Sequence, residues 1–297
     1  MPTILIFAGV TLREASRRRL LLAGALLGVG FVALYALGFG FVISNAPCGS
    51  RARPCQTPFQ AAQFPIAINM ITLAGMYAAN FLTVITAVLL PVDTLSGEIA
   101  SGVAQTLASK PVRRAEIVLG KWLAYWLLAV AYLYLTAGGI VLASWAVSGY
   151  VSGQAGFVLP GIARGLPLMM LEVTVMLTIA IAGGTRFSTV TNGLVTFGIF
   201  GLGFLGGWVE QIGELVVQSP SGLNAIRNIG TIVSLIVPAD ALWRLAAYDM
   251  MPPIARNFGV TPFTSLFPPT GALAVWAAGY VVVTLVVALR QFDRRAL

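Results

Sequence analysis

No histidine occurs in the 297 residues, which removes the commonest metal ligand and the usual general base near neutral pH. Cysteine is scarce as well, with only Cys48 and Cys55 present. Two thiols without a histidine fall short of a four-ligand zinc site, so no metal is expected. Charge is the third scarcity. Charged residues make up 9% of the chain, against about 25% in a soluble domain. So few charges cannot hold a chain of this length in water. Hydrophobic residues reach 58% and mean hydropathy is +0.89, so the solvent for most of the surface is lipid. An intramembrane enzyme is poorly served too. Glu172 is the one acid inside the long apolar runs, and no Gly-x-Ser-x-Gly elbow occurs.

The charge that is present is mostly positive, for a net of +8. A nucleic-acid partner would want Lys and Arg on a folded polar face, with aromatics between them. Here the basic residues cluster at the ends of apolar runs instead, which is the positive-inside pattern of a polytopic membrane protein. No nucleic acid is expected.

The long apolar runs cover 20–43, 64–90, 122–147, 166–183, 190–209 and 272–289. Each approaches or exceeds the roughly 20 residues that cross the hydrocarbon core as a helix. The expected fold is therefore all-α, a single transmembrane domain of six spans. Before the first span, Ile4, Leu5, Phe7, Val10 and Leu12 precede Arg13, Arg17, Arg18 and Arg19. A secretory signal has the reverse order, so 1–19 reads as a helix lying in the interface. Between the fifth and sixth spans, 210–271 holds amphipathic stretches, a short apolar run at 226–237 and several prolines. External interfacial or re-entrant helices are expected there, with a seventh span as the alternative.

With six spans and both termini on one side, that side carries 12 of the 18 basic residues, including Lys110, Arg113, Arg114, Lys121 and Arg186. It is the expected cytoplasmic side. The loop holding Cys48 and Cys55 then faces outward, where a disulfide is plausible. Two free thiols are the alternative.

The cytoplasmic stretch after the second span is the most informative. Over 93–110, Leu95, Ile99, Val103 and Leu107 form an apolar stripe at steps of four. Asp93 can cap the first turn, and Lys110-Pro111 ends it. Glu98, Ser101, Gly102 and Gln105 fall away from the stripe. This run, through Pro111-Val112, Arg114 and Gly120-Lys121, resembles the first cytoplasmic loop of type-2 ATP-binding-cassette exporter permeases. Val103 departs mildly, since many members carry Thr there. The match is close over about 30 residues and loose over the rest.

The resemblance implies a coupling helix over 93–110 that docks on an ATP-binding cassette ATPase subunit through Glu98, Ser101, Gly102 and Gln105. It implies a second permease copy, an inner or plasma membrane location, and ATP with Mg held by the partner subunit. This chain has no phosphate-binding loop of its own: Ala115 stands where its first glycine would be, and Trp122 follows Gly120-Lys121. The expected function is the permease subunit of an exporter, and the largely apolar spans suit a lipid-like or amphipathic cargo. A secondary transporter or channel is the alternative, though such folds often show inverted repeats and none is evident here.

Glu172 is costly at mid-span, by roughly 2.5–3.5 kcal/mol. It reads as part of a translocation path or gate, or as a helix–helix hydrogen bond. Asn69, Asn80 and Asn192 read as helix glue. The pairs Gly24/Gly28 and Gly203/Gly207 permit close helix crossings. Phe197, Phe200 and Phe204 read as lipid-facing, with an apolar route as the alternative.

Overall fold

The structure is a computed structural model. It describes residues 3–17, 19–49, 53–100, 113–152, 159, 161–217, 219–252 and 269–294. Among the described residues every regular element is a helix. In chain order these are α1 (Thr3–Ser16), α2 (Arg19–Ser44), α3 (Pro58–Leu89), α4 (Thr94–Ala100), α5 (Arg114–Ser152), α6 (Ile162–Gly184), α7 (Thr189–Val216), α8 (Pro220–Ile236), α9 (Ala239–Met250) and α10 (Ala272–Asp293). Away from its ends a helix pairs every backbone group within itself, which lipid demands of any spanning segment. Six of them, α2, α3, α5, α6, α7 and α10, are long and apolar enough to cross a membrane.

Several helices outrun their apolar runs. α3 starts at Pro58 rather than near residue 64, because Thr57 caps it: its Oγ1 accepts from the Gln60 amide at 3.3 Å. Pro58 then takes the first helical position, where a missing N–H costs nothing. α5 has 39 residues, or about 58 Å at 1.5 Å per residue. That is well beyond a core of about 30 Å, and its first two turns, with Glu116 and Lys121, carry charge that a hydropathy window excludes. Glu210 to Val216 likewise continues α7 rather than starting a new element.

α5 and α6 organise the bundle. α1, α2 and α3 pack on α5, while α9 and α10 pack on α6. α6 is the most enclosed span; α2 and α10 are the least. α1 meets α5 through small side chains: Ala8, Thr11 and Ala15 are buried, and Gly120 of α5 faces Ile4, Phe7 and Ala8. Leu5, Ile6 and Val10 point outward and are more than half exposed.

The segment between α7 and α10 makes the main departure from a plain six-span bundle. α8 runs back along α7, with Gly213, Gly206 and Gly203 facing Ile226, Val233 and Val237 in turn. At Val237-Pro238 the chain bends by 108° into α9. α9 is then enclosed along nearly its whole length, Ala239 to Ala247 and Met250 all being buried. Its end lies against the start of α6, where Gly161 sits on Asp249 and Gly165 on Met250. The sequence leaves α9 among the amphipathic stretches of 210–271, expected as external interfacial or re-entrant helices. The structure makes it a core element, because its charged side chains Asp240 and Arg244 are paired within the bundle.

Candidate functional site

The turn at Val237-Pro238 puts the start of α9 beside the middle of α6, next to Glu172. That carboxylate is buried, and Asn80 Nδ2 of α3 donates to its Oε2 at 2.9 Å. The helix–helix hydrogen bond, one of the two readings of Glu172, is therefore formed. Glu172, Asn80, Tyr77, Asp240 and Trp243 share a cavity of about 10 Å³ with Phe81, Phe200 and Phe204. A space that size holds roughly one water-sized group. Asn80 Oδ1 and Trp243 Nε1 are buried there with no hydrogen-bond partner among the described residues. Phe200 is buried, so the α7 phenylalanines do not all face lipid. Phe81 and Phe200 lie 5.9 Å apart, Phe200 and Phe204 6.4 Å, and Phe204 and Trp208 5.9 Å.

Next to the cavity stands a buried ionic cluster that no sequence pattern announced. Arg244 Nη1 donates to Glu210 Oε2 at 2.6 Å, and Nη2 donates to Ser234 Oγ at 3.3 Å. Arg244 Nε lies 3.0 Å from Asp240 Oδ2, one helical turn back. Burial of a guanidinium requires such partners. Gly207 and Gly230 make room for them: a Cβ on Gly207 would overlap the Asp240 carboxylate, and one on Gly230 the Glu210 carboxylate. The Gly203/Gly207 pair thus seats the bend and the ionic cluster of its own chain. The cluster opens to a cleft of about 440 Å³ bordered by Arg227, Thr231, Trp276 and the start of α10.

At the other end of the bundle, α4 is tied down on several sides. Thr94 Oγ1 donates to Tyr125 OH at 2.6 Å. Ser96 Oγ and Thr189 Oγ1 lie 2.9 Å apart, and Thr189 Oγ1 donates to Asp93 Oδ1 at 2.8 Å. Asn192 Nδ2 donates to the carbonyls of Val92 and Ala180, at 3.2 and 2.9 Å. Glu98 forms an ion pair with Lys121 of α5. Leu95, on the expected apolar stripe, is buried against the end of α6 at Gly184. Thus α5, α6 and α7 all meet at α4, which follows α3 through the turn at 90–93. Of the expected docking residues, Glu98 is placed here, while Ser101, Gly102 and Gln105 lie outside the described residues.

Cys48 and Cys55 are joined as a disulfide in the loop between α2 and α3, with Cα atoms 4.8 Å apart. Asn69 also ties elements together: its Oδ1 accepts from the Leu159 amide at 2.7 Å and its Nδ2 donates to the Pro65 carbonyl at 2.8 Å.

The chain matches the family described as ABC-2 family transporter protein over residues 12–297. No curated protein matches the chain.

Proposed function

The chain belongs to the ABC-2 family of transporter proteins, a multi-pass membrane permease of an ATP-binding-cassette transporter, and from that premise we propose that it is the translocating subunit of an exporter driven by a separate ATPase. The observation that carries the proposal is the anchorage of α4. A short helix bound to α5 by Thr94–Tyr125 and Glu98–Lys121 and to α7 by Ser96–Thr189, packed on the end of α6 through Leu95 and joined to α3 by the turn at 90–93, cannot move without moving them. A load applied there is passed to α3, α5, α6 and α7 together, as a coupling element requires. Two permease copies and two ATPase subunits complete the machine, with ATP and Mg on the ATPase. The α4 side is cytoplasmic, as its basic excess suggests. The α8–α9 pair enters from the opposite side and turns back beside Glu172.

The test is co-purification from mild detergent. The wild type is expected to bring down an ATP-binding subunit. A Glu98→Arg, Gly102→Trp variant that still elutes as a folded species should recover less than about a tenth as much, a loss of some 1.4 kcal/mol in docking. A Glu98→Lys, Lys121→Glu exchange keeps the internal pair while reversing the charge offered to a partner. It separates docking from local folding. If no ATPase is recovered with the wild type, the ATP-driven reading fails and a secondary transporter takes its place.

Orientation has its own check. In intact cells, a membrane-impermeant maleimide should label Cys48 and Cys55 only after reduction. Labelling confined to inverted vesicles would reverse the topology.

A further inference from the structure

The cavity between α3, α6, α7 and α9 holds a carboxylate with no basic partner among the described residues. Glu210 and Asp240 share Arg244, and Arg227 borders the cleft beside Glu210. Glu172, when ionised, adds a negative charge with which no base among the described residues pairs; Asn80 donates to it. A buried carboxylate in this state needs a proton or a cation.

We propose that the cavity receives the ammonium head of a cationic amphiphile, so that the substrates of this permease are hydrophobic amines. This rests on the permease reading above. Three features of the site select that head. First, the acceptors fit its donors: the Glu172 and Asp240 carboxylates and the unpartnered Asn80 Oδ1 all line the cavity, and a primary ammonium has three N–H groups to give. Second, the size is right. About 10 Å³ admits one water-sized group and excludes a trimethylammonium. Third, the walls are aromatic. Tyr77 and Trp243 have ring centres 5.3 Å apart, Phe81 and Phe200 stand opposite, and ring faces attract a desolvated cation. Trp243 Nε1, also unpartnered, is a donor that a water or a hydroxyl near the amine would satisfy.

The apolar chain of such a molecule also has a place. Phe204 borders both the cavity and a surface trough of about 630 Å³ lined by Leu205, Trp208, Val209, Ile212 and Ile226. That volume lies within the roughly 300–1,000 Å³ of ligand sites. An anionic head would meet two carboxylates there. A neutral head would gain no charge pairing from Glu172.

The experiment measures equilibrium binding of radiolabelled dodecylamine to the chain, purified with its ATPase partner, in phosphatidylcholine nanodiscs. Empty nanodiscs report simple partitioning. Saturable binding is expected above that background. Dodecanol and dodecyltrimethylammonium should compete about tenfold or more weakly than unlabelled dodecylamine. Glu172→Gln should weaken binding about 10- to 100-fold, the loss of one hydrogen bond to a charged group, and Glu172→Asp should restore part of it. Binding no greater than in empty nanodiscs, equal competition by dodecanol, or unchanged affinity in a folded Glu172→Gln variant would each overturn the proposal. The competition series needs no variant, so it stands even if Glu172→Gln fails to fold. Co-purification of the ATPase is read separately. No amine binding with the ATPase present sinks only the substrate class; amine binding without an ATPase sinks only the ATP-driven reading.

Discussion

Replacing Arg244 with methionine is expected to be the most damaging single change in this protein. Arg244 is 2% exposed and bridges Asp240 and Glu210. Methionine preserves much of its length but leaves two carboxylates buried, one of them pressed against Gly207. Breaking one side of a buried ionic cluster costs about 3–5 kcal/mol, a large share of the roughly 5–15 kcal/mol that holds a domain folded. The midpoint of thermal unfolding in detergent should fall on the order of 10 °C, and the bend between α8 and α9 should loosen first. Removing all three charges together, as Arg244→Met, Asp240→Asn and Glu210→Gln, should recover most of the loss, since an uncharged cluster no longer strands a charge. A fall in the triple variant as deep as in Arg244→Met would show that shape, rather than charge balance, sets the stability of this region.

Gly120→Val should release α1 from the bundle while the spans stay folded. A Cβ at Gly120 would lie 2.5 Å from Phe7 Cβ, 2.9 Å from the Ile4 carbonyl oxygen and 3.2 Å from the Ala8 amide nitrogen. Two of those atoms are backbone, so α1 must retreat as a body, at about 1–3 kcal/mol. Little else holds it, because the buried side chains of α1 are only Ala8, Thr11 and Ala15. Hydrogen exchange across 3–16 should accelerate about tenfold or more, with the protection of α6 unchanged. Gly9→Ala is the matched control: its Cβ would meet nothing within 4 Å, and alanine is the better helix former by about 1 kcal/mol. Unchanged exchange in Gly120→Val would mean that α1 is held by its outward apolar face instead.

α1 also shows why part of the fold was hard to read. A stripe of large apolar residues ordinarily marks the buried face of a helix. Here Leu5, Ile6 and Val10 face away from the protein, and the contact is made by the smallest side chains. In lipid, large apolar groups gain little from packing inward, whereas small ones permit close approach. Other signals were in the sequence but masked by hydropathy. Thr57-Pro58 and Ser219-Pro220 are start signals for α3 and α8, each with a side-chain cap and a proline at the first turn. Both lie in polar surroundings where a search for spans does not look.

Glu172 was legible as a costly residue, but not its neighbours. Its donor, Asn80, is 92 residues away, and Arg244 finds Glu210 across 34. Asp240 and Arg244 are spaced one helical turn apart, a pattern common to ordinary exposed pairs. Only the 108° bend at Val237-Pro238 carries that pair into the bundle.

The sequence by itself determined the solvent, the all-helical class, the number of long spans and the side expected to be cytoplasmic. These follow from local averages, because lipid requires about 20 consecutive apolar residues per span and the membrane sorts basic residues by side. The tertiary structure alone decided which polar groups are buried and with whom, which face of α1 turns inward, and that α9 belongs to the core. Those are matters of pairing. A buried charge is tolerated only where a partner from another helix meets it, and no local stretch of chain records where that partner will be.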